Sequence, residues 1–94
     1  MFGPYIALPR GDYELVWIGR GLDTPGEIEF SVHAEGGANL LAGAQVSAKD
    51  LPRSPGELTR LAFRLEHTRL GVELVVRTAG GGRVELQRLV LSRR

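Results

Sequence analysis

The stretch Glu27-Ile28-Glu29-Phe30-Ser31-Val32-His33-Ala34-Glu35 decides the fold. Ile28, Phe30, Val32 and Ala34 alternate with Glu27, Glu29, Ser31, His33 and Glu35, and successive side chains of an extended chain point to opposite faces. The stretch therefore reads as a strand with one buried face and one wet face. Gly36-Gly37 turns the chain after it. Six more segments with the same period of two surround it, over 3–8, 12–20, 39–48, 58–67, 71–78 and 83–92. Glycine, proline and aspartate separate them, and the longest loop, 49–56, holds Pro52 and Pro55.

Two of these segments need argument. Segment 58–67 fits a strand with Leu61, Phe63 and Leu65 inward and Arg60, Arg64 and Glu66 outward. It also fits a helix with Pro55 near its start and Leu58, Leu61 and Leu65 on one side. Unbroken alternation from Thr59 to Glu66, among all-β neighbours, favours the strand. In the last segment Val84 and Leu86 are in phase, whereas Leu89 and Leu91 are shifted by one. Both pairs reach a core only if a β-bulge sits near Gln87-Arg88. Ala79-Gly80-Gly81-Gly82 before it reads as a flexible hairpin tip. Seven short strands at near-regular spacing predict an all-β fold: one antiparallel β-sandwich of jelly-roll type over residues 1–94.

Composition narrows the chemistry. The 94 residues are 43% apolar and 24% charged and contain no cysteine. That excludes disulfides, thiolate catalysis and cysteine-based metal sites, and it fits a reducing, cytoplasmic setting. No apolar run approaches the roughly 20 residues that cross a bilayer as a helix, and no leader pattern heads the chain. Residues 1–50 carry three basic groups against seven acidic ones, and residues 51–94 carry nine arginines against four glutamates. Such asymmetry can mark a polyanion face. Here arginines alternate with apolar residues and glutamates, as on solvated strand faces, so nucleic acid is not an expected partner.

The chain opens with Phe2-Gly3-Pro4-Tyr5-Ile6-Ala7-Leu8, the turn Pro9-Arg10-Gly11-Asp12, and a strand in which Tyr13, Leu15 and Trp17 share a face. Pro9 fixes φ, Gly11 suits a tight reversal and Asp12 can bond back to the backbone, so the run reads as a hairpin. Its pattern Gly3-Pro4-Tyr5-Ile6-x-Leu8-Pro9-x-Gly11-x-Tyr13, followed by Leu61-x-Phe63-x-Leu65 and Val72-x-Leu74-x-Val76, carries a resemblance. It resembles the carbohydrate-binding-module-like β-sandwich domains of bacterial polysaccharide-biosynthesis proteins. The likeness spans most of the chain and is specific in the first hairpin. It implies binding of a sugar or glycan, or a scaffold role beside an enzyme that handles one, and it supplies no catalytic residue. Such domains carry a strand before this hairpin, and none precedes it here; the expectation is an edge left open.

The candidate ligand-binding residues are Tyr5, Arg10, Trp17 and His33. Exposed rings stack on pyranose C–H faces, while charged and imidazole groups bond the hydroxyls. Tyr5, beside a Gly-Pro pair, is the stronger surface ring. Trp17 shares its face with Tyr13 and Leu15, which argues for core, and contributes only if exposed. His33 stands among Glu29, Ser31 and Glu35, but with His67 as the sole second imidazole a zinc site lacks ligands. Asp12, Asp23, Glu27 and Glu29 match no calcium-loop spacing, and Gly80-Gly81-Gly82 lacks the helix of a phosphate loop. Arg60, Arg64, Arg77 and Arg88 could line one outer face, facing Glu66, Glu73 and Glu85.

No catalytic triad, carboxylate pair or nucleotide motif stands out. The expectation is a non-catalytic carbohydrate-binding or accessory module of a bacterial glycan-handling system, without cofactor or metal. The alternative is a structural assembly subunit whose open edge is completed by self-association, as a homo-oligomer, or by a partner protein. Val16, Ile18 and Val75 are the apolar residues such an interface would use.

Overall fold

Each alternating segment forms a strand: β1 Phe2–Leu8, β2 Gly11–Gly21, β3 Glu27–Ala34, β4 Asn39–Ser47, β5 Gly56–Leu65, β6 Arg69–Ala79 and β7 Val84–Arg93. A 3₁₀ turn, Ala48–Asp50, follows β4. The computed structural model describes residues 2–34 and 39–94, with 2–5 and 70 described by their backbone alone. Glu35 and the Gly36-Gly37 turn lie outside the described residues.

Two antiparallel sheets form the sandwich, one ordered β1-β6-β3-β4 and the other β5-β2-β7. The pairs β1·β6, β2·β5 and β3·β4 are nested one inside the next. That nesting is the winding of a jelly roll, and β7 adds a strand on the free side of β2.

The core lies where the alternation put it. Ile28, Phe30 and Val32 of β3 and Val72, Leu74 and Val76 of β6 meet Tyr13, Leu15 and Trp17 of β2 and Leu61, Phe63 and Leu65 of β5. Trp17 packs edge-on against Phe30, with ring centroids 5.2 Å apart. At roughly 25 cal/mol per Å² of apolar surface removed from water, burial of such rings dominates the stabilisation. Segment 58–67 is a strand as far as Leu65, as the alternation requires, and the chain bends away at Glu66-His67. In β7 the pairing runs Ile18↔Arg88 and then Gly19↔Leu86, so Gln87 is the extra residue of a bulge. Val84, Leu86, Leu89 and Leu91 all pack against the core as a result. A second irregularity, at Leu58 of β5, flanks β2 at the same level, where Trp17↔Thr59 is followed by Ile18↔Glu57.

Two turns differ from the sequence expectation. Pro9-Arg10 does not close a hairpin: β1 pairs with β6, and β2 belongs to the other sheet. Likewise 79–82 carries the chain from β6 to β7 across the sandwich. Local turn chemistry specifies a reversal but not whether the next strand pairs with the last. Nor are these glycines a loose tip. Gly80 and Gly81 have φ of 65° and 85°, Gly82 N–H donates to the Ala79 carbonyl at 3.1 Å, and a Cβ on Gly82 would lie 2.8 Å from the Glu27 carbonyl oxygen.

Candidate functional site

The four-stranded sheet holds two of the four candidate positions, Tyr5 and His33. Residues opposite one another in an antiparallel ladder share a face. One row across the sheet is Tyr5–Glu73–His33–Leu40, the next includes Val75–Ser31–Gly43, and a third Arg77–Glu29–Gln45. Tyr5 and His33, two sequence candidates far apart in the chain, thus occupy one row with Glu73 between them. The side chain of Tyr5 lies outside the described residues.

This face is not uniformly wet. Ser31 is 2% exposed and Glu73 7%. Val75, an interface candidate from the sequence, is 1% exposed. Val16 and Ile18 are half-buried on the outer face of the other sheet. His33 is half-buried, and its Nε2 is hydrogen-bonded to Ser31 Oγ at 2.9 Å. Its Nδ1 is buried and has no hydrogen-bond partner among the described residues.

Beside His33 an open groove of about 320 Å³ runs along β3 and β4, lined by Glu29, Ser31, His33, Leu40, Gly43 and Gln45 among others. Gly43 gives it a floor without a side chain. Leu40, 60% exposed, forms an apolar flank. Gln45 donates to the Glu27 carboxylate, which holds the carboxamide at the rim. The groove is thus lined by a carboxylate, an imidazole bonded to a serine hydroxyl, and a carboxamide bonded to Glu27, beside one aliphatic surface.

Trp17 is 1% exposed, so it belongs to the core and cannot stack on a ligand. The face it shares with Tyr13 and Leu15 is the inner one. Arg10 is exposed and stands at one end of the sandwich, apart from the groove in the fold, beside Asp12, Arg64, Glu66 and His67. The four arginines expected on one face divide: Arg60, Arg64 and Arg88 flank β2 on the three-stranded sheet, and Arg77 stands opposite Glu29 on the other. Their partners also differ from expectation. Arg60 pairs with Glu14 and Glu57, and Arg64 Nε lies 3.8 Å from Asp12. Glu85 pairs instead with Arg20, at 3.1 Å. The bond to Arg20 holds the Glu85 carboxyl below the usual glutamate range, and Arg60 does the same to Glu57.

The residues that sequence reasoning missed here are Gln45, Gly43, Leu40 and Glu73. Only cross-strand register brings them to His33, and period-two patterning carries no register. No group of three or more His, Cys, Asp or Glu suited to a metal ion occurs among the described residues. No described helix is long and apolar enough to cross a membrane. No family model, curated protein or solved structure matches the chain.

Proposed function

We propose that this chain is a non-catalytic carbohydrate-binding or accessory module that takes a sugar of a bacterial polysaccharide or glycolipid in the β3–β4 groove. The observation that supports it is the convergence of Glu29, Ser31, His33 and Gln45 beside Leu40 in one groove of the β3–β4 face. A hydroxylated ring needs several donors and acceptors converging beside an apolar patch, and ligand pockets of about 300–1,000 Å³ supply this. The groove lies at the lower end of that range, suited to one ring of a longer chain. The absence of cysteine fits a cytoplasmic place in glycan synthesis. A glycan array followed by titration calorimetry tests the reading: binding to wild type, weakened about tenfold by His33→Ala, supports it, and no binding refutes it.

One observation favours a second reading, an assembly subunit. Sheet edges are normally guarded by charge or proline. Pro4 lies in β1, Glu57, Arg60 and Arg64 in β5, and Glu85, Arg88 and Arg93 in β7. The fourth edge, β4, carries neither charge nor proline in nine residues and bears Leu40. Pairing of this edge with a second copy would join two grooves across the seam. Light scattering over a concentration series distinguishes a monomer from such a dimer, and Gln45→Lys on the edge would dissociate the dimer.

A further inference from the structure

Among the described residues, the end of the sandwich near Arg10 carries the guanidiniums of Arg10, Arg64, Arg93 and Arg94 beside the side-chain carboxylates of Asp12 and Glu66. Arg64 lines three adjoining cavities there, of about 430, 380 and 490 Å³. One of these arginines is held in place. The Arg93 guanidinium donates from Nη2 to the Arg10 carbonyl at 2.6 Å and sits 6.0 Å from the centroid of Tyr13. Gly11 leaves it room, since a Cβ there would lie 2.9 Å from Arg93 Nε. Tyr13 is itself fixed by stacking on Phe63, with centroids 5.6 Å apart at 20°. A guanidinium held by a carbonyl, a ring and a glycine has already lost much of its rotamer freedom, so less entropy opposes binding. Arg10 beside it is exposed, and its guanidinium has no ion pair or hydrogen bond among the described residues.

We infer that this end is a subsite for the carboxylate of an acidic sugar, with Arg93 as the pre-set contact and Arg10 as the mobile one. The inference rests on the glycan reading above and adds the class of glycan. Arginine pairs bidentately with carboxylates, and the hydrogen bond from Arg93 to the Arg10 carbonyl keeps these two residues at the same end of the sandwich. A nucleic-acid strand fits less well. Asp12 and Glu66 interrupt the patch, and the two aromatic rings of the adjoining strand β2, Tyr13 and Trp17, are both buried and offer no stacking platform for a single strand.

Calorimetric titration with a short oligogalacturonate and with its carboxyl-reduced, neutral counterpart tests this on wild type, Arg10→Gln and Arg93→Lys. The expected result is a preference of about tenfold for the acidic oligomer, smaller at higher ionic strength. Arg10→Gln, which removes no internal contact, and Arg93→Lys should each reduce that preference and leave neutral binding unchanged. Equal binding of both oligomers, or a preference untouched by both variants, overturns the acidic subsite while the glycan reading stands. Binding of neither oligomer overturns the acidic subsite, and only the absence of any binding on the glycan array overturns the glycan reading with it. A single-stranded DNA control bound as tightly as the acidic oligomer also overturns the assignment.

Discussion

The Tyr13 hydroxyl donates a 2.6 Å hydrogen bond to the carbonyl of Pro9, four residues back across the point where the chain leaves one sheet for the other. The bond ties the end of β1 to the start of β2 at a corner that no ladder holds. Tyr13→Phe removes it while preserving the ring stack on Phe63. The expected cost is about 1 kcal/mol, read from the denaturant midpoint, whereas Tyr13→Ala, which also empties a core position, should cost about 3–5 kcal/mol.

Gly19 of β2 immediately follows the two register shifts, and a Cβ there would collide with the Glu85 carbonyl oxygen. Backbone cannot yield as a flexible side chain does. Gly19→Ala should destabilise by about 1–3 kcal/mol or more. Gly43→Ala is the control: its Cβ would have no neighbour closer than 3.6 Å. Comparison of the two unfolding curves checks this.

Trp17 is the single tryptophan, and it is enclosed in the core against Phe30. Its fluorescence should be blue-shifted and resistant to iodide in the folded protein. Saturation with a glycan that binds the groove should leave its intensity nearly unchanged. Strong quenching on binding would place the ligand against Trp17 and contradict the placement.

Acid should weaken the fold through exposed ion pairs. Glu85 beside Arg20 and Glu57 beside Arg60 have folded-state pKa values below the ordinary glutamate value. Depressed carboxyl pKa values contribute stability that is present above the unfolded-state pKa and lost as pH falls through the folded one. The unfolding midpoint should therefore fall as pH drops below about 4.5. The Arg20→Gln slope should be slightly shallower. These pairs face water, so added salt should shrink the difference.

Much of the architecture was legible because burial and period are local. Ile28, Phe30 and Val32 announce their face, and the phase break between Leu86 and Leu89 announces the bulge at Gln87. The mispaired turns mark the limit. Pro9-Arg10-Gly11-Asp12 and 79–82 have good turn chemistry, yet the partners of β1 and β7 are set by sheet packing, which the turn residues do not encode. The groove was half legible: His33 stood out on a polar face, but Gln45, Gly43 and Leu40 reach it only through the β3–β4 register. Trp17 has the ring chemistry of a sugar platform, while its phase with Leu15 puts it inside.

The most direct test of the central claim is backbone chemical-shift mapping by NMR during titration with a glycan selected from the array. Saturable shifts centred on Glu29, Ser31, His33, Gly43 and Gln45 are expected, with the outer face of the β5-β2-β7 sheet unchanged. Shifts confined to that other face, or none from any array glycan at millimolar concentration, would contradict it.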